Sequence, residues 1–287
     1  MKLATFVHDG VERPGVVVGD RIVPTTDASL LALIQAGPTA VTQARRLAEA
    51  SATDAGYRLA DISLRAPIPV PPRNVFCVGR NYKLHIEEGA RARGVAAEYP
   101  PVPEFFTKAT HAVCGPDDVV RLPAITKKLD YEVELAFVVG KGGRDIKAQD
   151  AAEHILGYVV LNDVTARDLQ KGHGQWFKGK SLDNTCPIGP WIVTSDEFDV
   201  TADHRIWLSV NGKMRQDSLT TDMVFDCAAI LESLSAGLTL EPGDIVTTGT
   251  PSGVGLGLEP QVWLRDGDVM EAGIDGIGSI TNTIRSV

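Results

Sequence analysis

The strongest constraint in this chain is a predicted strand that carries two glutamates, in the run Asp130-Tyr131-Glu132-Val133-Glu134-Leu135-Ala136-Phe137-Val138-Val139. Because successive side chains of a strand alternate between its two faces, Glu132 and Glu134 should project from the same face. At about 5 Å and an effective dielectric near about 20, two carboxylates repel each other by about 3 kcal/mol. A half-buried pair therefore needs a cation or a shared proton, whereas the alternative, a solvated strand face, needs neither.

A third carboxylate supports the prediction of a metal site. Asp163 follows the apolar run Ile155-Leu156-Gly157-Tyr158-Val159-Val160-Leu161-Asn162. Three carboxylates at neighbouring strand ends, with no cysteine or histidine at ligand spacing, form an oxygen-only donor set that suits magnesium, manganese or calcium. Zinc in structural sites takes nitrogen and sulfur ligands, so this set does not favour it.

Composition and charge limit the classes of partner. The chain has 287 residues, of which 44% are hydrophobic and 23% charged, with a net charge of -9. This length allows one large domain and a small one, and the acidic balance disfavours nucleic acid or an anionic membrane as the main partner. The four cysteines are far apart, so we expect reduced, buried thiols. We expect a cytoplasmic protein, because the first residues do not form a secretion signal and no apolar run reaches the roughly 18 residues of a membrane span.

The spacing of elements predicts a β-rich α+β protein with two domains. Residues 1–66 should form a small N-terminal α/β cap domain, with a strand meander over residues 2–24 and helices over residues 29–35 and 39–50. Residues 66–73 hold four prolines and should connect this cap to a catalytic domain over residues 67–287. That domain is mainly strands, with a helix over residues 222–235 and a closing hairpin about Asp266-Gly267. Because strands and helices do not alternate regularly, a doubly wound sheet is disfavoured.

One motif match is misleading. Residues 174–181 fit the phosphate-loop pattern G-x-x-x-x-G-K-[ST] letter for letter. A phosphate loop requires a strand that leads directly into it and a helix that leaves it, so that backbone N–H groups meet the phosphates. The residues before this stretch are polar, and Pro187 and Pro190 follow where the helix should be. A nucleotide-binding function is therefore disfavoured.

Seven motifs, taken in order, resemble those of the fumarylacetoacetate hydrolase family. They are Gly79-Arg80-Asn81-Tyr82-x-x-His85-x-x-Glu88, Phe105-Phe106-x-Lys108, Glu132-Val133-Glu134-Leu135, Asn162-Asp163-Val164-Thr165-Ala166-Arg167-Asp168-Leu169-Gln170, Gly179-Lys180-Ser181, Val210-Asn211-Gly212 and Thr248-Gly249-Thr250-Pro251-x-Gly253-Val254-Gly255. The resemblance runs from about residue 74 to the end of the chain. It implies a mixed β-sandwich roll, a homodimer, and one magnesium or manganese ion per subunit.

The resemblance also implies roles for single residues at the centre of the site. Glu132, Glu134 and Asp163 fall on the metal-ligand positions of the family. Lys180 falls on the lysine that binds substrate and stabilises charge, and Thr250 on the threonine that contacts the substrate carboxylate.

A His-x-x-Glu pair completes the implied machinery. His85 and Glu88 fall on the pair that activates water in hydrolytic members, and their i, i+3 spacing lets them touch if the segment forms a helical turn on substrate binding. In a 2,4-dioxo acid, the metal would hold the carboxylate and 2-oxo oxygens while His85 takes a proton from water that attacks C4. Lys180 would offset the developing negative charge. The C3–C4 bond then breaks to give a carboxylic acid and pyruvate or a pyruvate-like product.

Further residues of the same motifs are candidates for binding substrate oxygens. These are Arg80, Tyr82, Lys108 and Gln170, each of which could equally connect loops. Arg167 and Asp168 are expected to form structural pairs behind the metal site. Residues 87–103 have the composition of a mobile lid that could determine specificity.

Two other activities use the same predicted site. One is decarboxylation of oxaloacetate, and the other is isomerisation of an unsaturated diacid such as 2-hydroxyhepta-2,4-diene-1,7-dioate. The presence of both His85 and Glu88 favours hydrolysis over these two. A non-catalytic protein that binds a small 2-oxo acid is the alternative from another class, and the intact set of carboxylates, lysine and dyad argues against it.

Overall fold

The computed structural model describes residues 1–52 and 54–287. Its strands are β1 (Lys2–His8), β2 (Val11–Val18), β3 (Arg21–Pro24), β4 (Tyr57–Arg58), β5 (Ser63–Leu64), β6 (Val75–Gly79), β7 (Glu104–Lys108), β8 (Val113–Cys114), β9 (Val120–Leu122), β10 (Leu129–Asp130), β11 (Val133–Val139), β12 (Ile155–Asn162), β13 (Thr165–Ala166), β14 (Cys186–Thr194), β15 (Arg205–Val210), β16 (Lys213–Leu219), β17 (Ile245–Thr247), β18 (Val269–Ile274) and β19 (Gly278–Ser286). Its α-helices are α1 (Leu30–Gln35), α2 (Pro38–Ala50), α3 (Lys83–Arg93), α4 (Ala151–His154), α5 (Arg167–Gly172), α6 (Phe177–Lys180) and α7 (Cys227–Ser235).

Two large sheets organise these strands. The larger has the order β4-β3-β2-β1-β14-β12-β11-β17-β6-β7, with β5 beside β1 and β8 beside β14. The smaller has the order β16-β15-β18-β19-β9, and β10 pairs separately with β13. Most pairings are antiparallel, and strands do not alternate regularly with helices. The predicted β-rich α+β class is confirmed, and so is the exclusion of a doubly wound sheet.

Strand β11 lies in the middle of the larger sheet and is buried on both faces. Leu135 and Phe137 belong to an apolar core that also contains Leu208 of β15 in the smaller sheet. Ala136 and Val138, on the opposite face, belong to a second core that includes buried residues of α1. This two-sided burial explains why the strand reads as an almost continuous apolar run. The carboxylate-bearing end of β11 is thereby fixed between two packed layers.

The N-terminal strands extend the larger sheet. β1 pairs antiparallel with β14 through Lys2↔Val193 and Leu3↔Ile192, and the meander of β1, β2 and β3 forms as predicted. Both predicted helices are present: Ser29 accepts a hydrogen bond from the Ala32 N–H at 3.1 Å at the start of α1, and α2 runs from Pro38 to Ala50. The division into domains at residues 66 and 67 stays a prediction, and the sheet is continuous across it.

Two predicted elements differ from the structure. The helix expected over residues 222–235 begins at Cys227, because Asp226 is its N-cap and accepts from the Ala229 N–H at 2.8 Å. The closing hairpin turns between Ile274 and Gly278, which pair across β18 and β19, rather than at Asp266-Gly267.

Three exclusions made from the sequence can be compared with the described residues. The phosphate-loop match follows helix α5, and no described strand leads directly into residues 174–181, so the strand–loop–helix arrangement that such a loop requires is not formed there. All four cysteines are buried and free, as expected. Within residues 1–52 and 54–287, no helix is both long enough and apolar enough to cross a membrane. The cytoplasmic location stays a prediction.

Candidate active site

The structure brings Glu132, Glu134 and Asp163 together. Glu132 lies just before β11, Glu134 lies within it, and Asp163 follows β12. β11 and β12 pair with Val133 opposite Asn162, so the flanking residues Glu132 and Asp163 become neighbours, and the Asp163 N–H donates to the Glu132 carbonyl at 2.8 Å. One carboxylate oxygen of each residue lies within 4.8 Å of the others, and all three side chains are buried. The pattern of alternating glutamates therefore predicted this convergence correctly.

Three buried cations surround two of these carboxylates. Lys180 Nζ lies 2.5 Å from Asp163 Oδ2 and also contacts Glu132 Oε2. Arg167 Nη2 donates to Glu132 Oε1 at 2.6 Å, and Lys108 Nζ lies 2.7 Å from Asp163 Oδ1. Glu134 has no such ion pair among the described residues, and its Oε2 instead accepts the Gly249 N–H at 3.0 Å. Positive charge is thus distributed unevenly over the cluster.

The pKa values of the cluster follow this uneven distribution. Burial opposes ionisation of Glu132, but Arg167 and Lys180 outweigh it and hold the pKa of Glu132 below its ordinary range. Burial also opposes the charge of Lys180, yet Asp163 and Glu132 raise the pKa of that lysine above its usual value. For Glu134, burial and then the charges of Asp163 and Glu132 raise the pKa well above its ordinary value. Glu134 is therefore the carboxyl of the cluster whose ionised form lacks a compensating positive charge among the described residues.

The donor set fits a divalent cation. Asp163 Oδ1 is buried and accepts no hydrogen bond from a described residue, because the nearby Lys108 ammonium does not have the geometry of one. A buried carboxylate oxygen without a donor and a neighbouring glutamate without a counter-ion both gain from a cation placed between them. With oxygen as the only donor type, magnesium and manganese match the set. The cluster can therefore hold a divalent metal ion.

The His85–Glu88 pair is already assembled in helix α3. His85 Nδ1 lies 3.1 Å from Glu88 Oε2, and Glu88 Oε1 accepts the Gly253 N–H at 2.9 Å. The turn that joins the two residues, predicted to form on substrate binding, is already part of a helix that extends to Arg93 and ends at Gly94, whose left-handed backbone suits a helix C-terminus. The first part of residues 87–103 is therefore helical, and its role as a mobile lid stays a prediction.

A cavity of about 510 Å³ joins the dyad to the carboxylates. Of the candidates predicted from the sequence, those that line it are Arg80, His85, Glu132, Glu134, Gln170, Lys180 and Thr250. Thr250 Oγ1 donates to the Val133 carbonyl at 2.8 Å, which fixes the hydroxyl beside the carboxylate strand. Arg80 makes a two-point ion pair with Glu104, with Nε 2.7 Å from Oε2.

Two predicted substrate-binding residues lie away from this cavity. Tyr82 is 1% exposed and belongs to the apolar core, and its hydroxyl has no hydrogen-bond partner within residues 1–52 and 54–287. Lys108 is completely buried, and its Nζ donates to the Val164 carbonyl at 3.0 Å in addition to its contact with Asp163. Lys108 thus contacts the cluster through Asp163, whereas Tyr82 packs in the apolar core, and neither residue is part of the cavity lining. Their role in substrate binding stays a prediction.

The sequence did not predict the positions of several residues of the site. Arg167, expected to form a structural pair behind the metal site, also lines the cavity and touches Glu132 directly. Asp168 does form structural contacts, accepting from Thr126 Oγ1 at 2.6 Å. Phe106 lies under the Lys180 ammonium, 4.9 Å from ring centroid to Nζ. The Trp176 ring packs on Gly79 so closely that an added Cβ would lie 2.4 Å from it.

The family model for the C-terminal domain of fumarylacetoacetate (FAA) hydrolase matches residues 74–285, which include the carboxylates, the dyad and Lys180. The chain belongs to the fumarylacetoacetate hydrolase family. It is therefore an enzyme of that superfamily, and the fold and resemblance predicted from the sequence are confirmed.

Three similar proteins illustrate the range of chemistry within the family. The chain is 44% identical over 267 residues to the oxaloacetate tautomerase YisK of Bacillus subtilis, covering 91% of this chain and 87% of that protein. Among solved structures it is similar to a fumarylacetoacetate hydrolase from Exiguobacterium antarcticum, with 43% identity, a TM-score of 0.86 and full coverage of both chains. It is also similar to a 2-hydroxyhepta-2,4-diene-1,7-dioate isomerase from Mycobacterium marinum, with 33% identity, a TM-score of 0.80, and coverage of 100% of this chain and 98% of that chain.

Proposed function

We propose that this enzyme transfers a proton at C3 of short 2-oxo diacids, interconverting the keto and enol forms of oxaloacetate or a close analogue. The observation that carries the proposal is the His85–Glu88 dyad in the wall of the carboxylate–lysine cavity. Because a carboxylate can only accept a hydrogen bond, we infer that Nδ1 of His85 donates to Glu88, which leaves Nε2 as the proton acceptor. A base with a fixed tautomer beside a charge-stabilising cluster suits enolisation. The similarity to an oxaloacetate tautomerase supports this choice of substrate.

The cluster would bind Mg²⁺ or Mn²⁺, one per subunit, through Glu132, Glu134 and Asp163. When bound, the cation supplies Lewis acidity at the substrate's carboxylate and 2-oxo oxygens. Lys180 adds a fixed positive charge in the same buried region, where it offsets negative charge that develops on the 2-oxo oxygen.

The proton moves through His85. The C3 proton passes to Nε2, the electron pair of the C–H bond becomes the C2–C3 double bond, and the 2-oxo oxygen gains the negative charge. Glu88 stabilises the resulting imidazolium through Nδ1. Return of the proton to the oxygen gives the enol and restores the neutral histidine, so no water is consumed.

The cavity also favours a second acidic group on the substrate. Arg93, Lys128 and Lys171 line it and form no ion pair with a described residue. A distal carboxylate would satisfy these cations, and their charge would draw an anionic substrate into a protein that carries a net charge of -9.

The test follows the ultraviolet absorbance of enol-oxaloacetate with added Mg²⁺ or Mn²⁺ and again after chelation. We expect metal-dependent acceleration of its approach to the keto–enol equilibrium, and loss of that acceleration in His85→Ala. His111→Ala, a change at an exposed histidine, is the matched control. An unchanged approach to equilibrium in the wild-type enzyme with metal would refute the proposal.

Hydrolysis of a C–C bond in a 2,4-dioxo acid is the second candidate. The same dyad could take a proton from water that attacks C4 of an acylpyruvate, a fumarylacetoacetate-like acid or a 2,4-diketo-3-deoxy sugar acid. The buried Glu88, which orients His85 as a base, favours hydrolysis over decarboxylation of oxaloacetate. Decarboxylation, which is also possible at this site, does not require a base. Two substrates distinguish hydrolysis from decarboxylation. Stoichiometric acetate and pyruvate from acetylpyruvate indicate hydrolysis, whereas loss of oxaloacetate to pyruvate and carbon dioxide indicates decarboxylation. We also propose that the enzyme is a homodimer and acts in the cytoplasm.

A further inference from the structure

A loop connects the carboxylate strand to the catalytic dyad. Residues 253–257, here called the bracket segment, lie between the residues preceding β11 and helix α3. The Gly253 N–H donates to Glu88 Oε1 at 2.9 Å, and the Gly253 carbonyl accepts from the Tyr131 hydroxyl at 3.1 Å. Gly253 therefore links Tyr131, the neighbour of Glu132 in the sequence, to Glu88, the residue that orients His85.

Asp130 fixes the other end of the bracket segment. Its Oδ1 accepts the Gly255 N–H at 2.7 Å and its Oδ2 accepts the Leu256 N–H at 3.1 Å. The same carboxylate accepts from Arg167 Nε at 2.9 Å, and Arg167 in turn contacts Glu132. Asp130 is completely buried, so these bonds form where water does not compete. The consecutive residues Asp130 and Tyr131 thus connect the bracket segment to the carboxylate cluster by hydrogen bonds.

Close packing adds a steric restraint on Glu88. An added Cβ at Gly257 would lie 2.1 Å from the carboxyl carbon of Glu88, so the glycine backbone abuts the carboxylate. The backbone of Gly257 is not in the left-handed region, which means that the side chain of Glu88, and not the turn, requires the glycine. A hydrogen bond from Gly253 and contact with Gly257 together leave the carboxylate little freedom.

We propose that Tyr131 and Asp130 are positioning residues that act through the bracket segment to hold Glu88, and thereby to keep the His85 proton on Nδ1. Neither residue lines the cavity. The inference deepens the proposed function, because it assumes that His85 is the proton-transfer group. Its structural part, the link from Tyr131 to the histidine tautomer, does not depend on which substrate is used.

Tyr131→Phe tests the link with a minimal change, because the ring remains and only the hydroxyl is lost. The first readout is the nitrogen chemical shifts of His85 in metal-free protein with isotope-labelled histidine. We expect the wild-type signals of a ring protonated at Nδ1, and a mixture of tautomers in the variant. Tyr158→Phe is the matched control, since Tyr158 is a buried tyrosine whose ring packs on Phe198, and it should keep the wild-type signals.

The second readout is kinetic. Loss of one hydrogen bond to the segment should lower kcat by about fivefold to tenfold with little change in KM. In a Glu88→Gln background the same change should have an effect below about twofold, because the group through which Tyr131 acts is already altered. An equal loss in both backgrounds would show that Tyr131 supports the site in some other way and would overturn the inference.

Gly257→Ala gives an independent test if Tyr131→Phe fails to fold. The added methyl group displaces Glu88 directly and leaves in place the hydrogen bonds from Tyr131 and Asp130 to the segment. It should give the same mixture of His85 tautomers. Gly172→Ala is its control, because a Cβ there meets nothing within 4 Å. Unchanged His85 signals in both Tyr131→Phe and Gly257→Ala would refute the inference even if the enzyme proved active on oxaloacetate. Conversely, altered signals would support it even if no 2-oxo acid were turned over.

Discussion

Arg167 Nη2 donates to Glu132 Oε1 at 2.6 Å, so the carboxylate at the start of the predicted strand is an ion-paired anion before any metal binds. Lys180 contacts the other oxygen of Glu132. Glu134, two residues further along the same strand, is buried without an equivalent partner among the described residues. The two glutamates therefore differ in charge state although the sequence presents them as a matched pair.

Replacing Glu134 with Gln should abolish metal-dependent activity and leave the chain folded. The amide keeps the shape and can still accept the Gly249 N–H, but it is a much weaker ligand for a divalent cation than a carboxylate. Calorimetric titration with Mn²⁺ should show binding in the wild type and none in the variant. Glu153→Gln, a change at an exposed glutamate paired with Lys141, is the control. Full activity of Glu134→Gln would remove this residue from the metal site.

The raised pKa of Glu134 predicts a pH effect on the metal-free protein. Its carboxyl stays protonated in the folded chain above the ordinary value of 4.5, where an unfolded chain has lost the proton. The folded state then binds more protons, so its stability falls as pH rises from about 4.5 toward the folded-state pKa. Melting curves across this range should show the fall in wild type and a smaller fall in Glu134→Gln. A parallel pH dependence in the two proteins would contradict the assignment.

Metal binding should release a proton from the same carboxyl. A ligand must lose its proton to bind a cation, so apparent affinity should rise with pH until Glu134 is ionised. Titrations of Mg²⁺ in buffers with different ionisation enthalpies measure this release directly. An apparent enthalpy that is identical in all buffers would show that no proton leaves.

Replacing His85 with Ala should lower proton transfer at C3 by a factor of about 10² to 10⁴, the usual contribution of a general base. Decarboxylation of oxaloacetate, which needs charge stabilisation but no base, should fall much less. Both rates can be followed on the same substrate with metal present. An equal loss in both reactions would mean that the histidine only positions the substrate.

Replacing Lys180 with Met should lower kcat by about 10² or more, because the fixed positive charge beside the reacting oxygen is removed. The flexible apolar side chain can fill the space over Phe106. Lys178→Met, on the same short helix but exposed, serves as control. A kcat within about twofold of wild type for Lys180→Met would argue against electrostatic stabilisation by this residue.

Arg93 should discriminate diacids from monoacids. Arg93→Ala removes one of the cations that line the cavity and form no ion pair with a described residue, and should raise KM for oxaloacetate about tenfold, the scale of one charge-assisted hydrogen bond. KM for acetylpyruvate, if it is a substrate, should stay unchanged. Arg91→Ala, on the same helix but outside the cavity lining, should alter neither value, and an equal rise for both substrates in Arg93→Ala would contradict the prediction.

Local rules predicted the centre of the site well. Strand alternation and the end of the next apolar run brought Glu132, Glu134 and Asp163 together before any pairing of strands was known. The His85–Glu88 contact likewise follows from helical spacing. These inferences succeed because each depends on residues close in sequence or on adjacent strands.

Choices between equivalent local signals could not be made from the sequence. Both Asp222 and Asp226 are suitable N-caps for the same helix, and the structure uses Asp226. Asp266-Gly267 and Asp275-Gly276 are both turn dipeptides, and the closing hairpin uses the second. Which side of the cluster Tyr82 or Lys108 occupies depends on long-range packing between β6, β7 and β11, which sequence spacing does not specify.

The pairing of β1 with β14 has a consequence for aggregation. At Val193, β14 pairs with Lys2 of β1 on one side and with Tyr158 of β12 on the other, so β1 covers an edge of the strand that would otherwise be open. A variant in which β1 detaches would turn this apolar stretch into an open edge that can pair with a second chain. The N-terminal meander thus protects the catalytic sheet against intermolecular strand addition, and weakening it should reduce solubility before it reduces turnover.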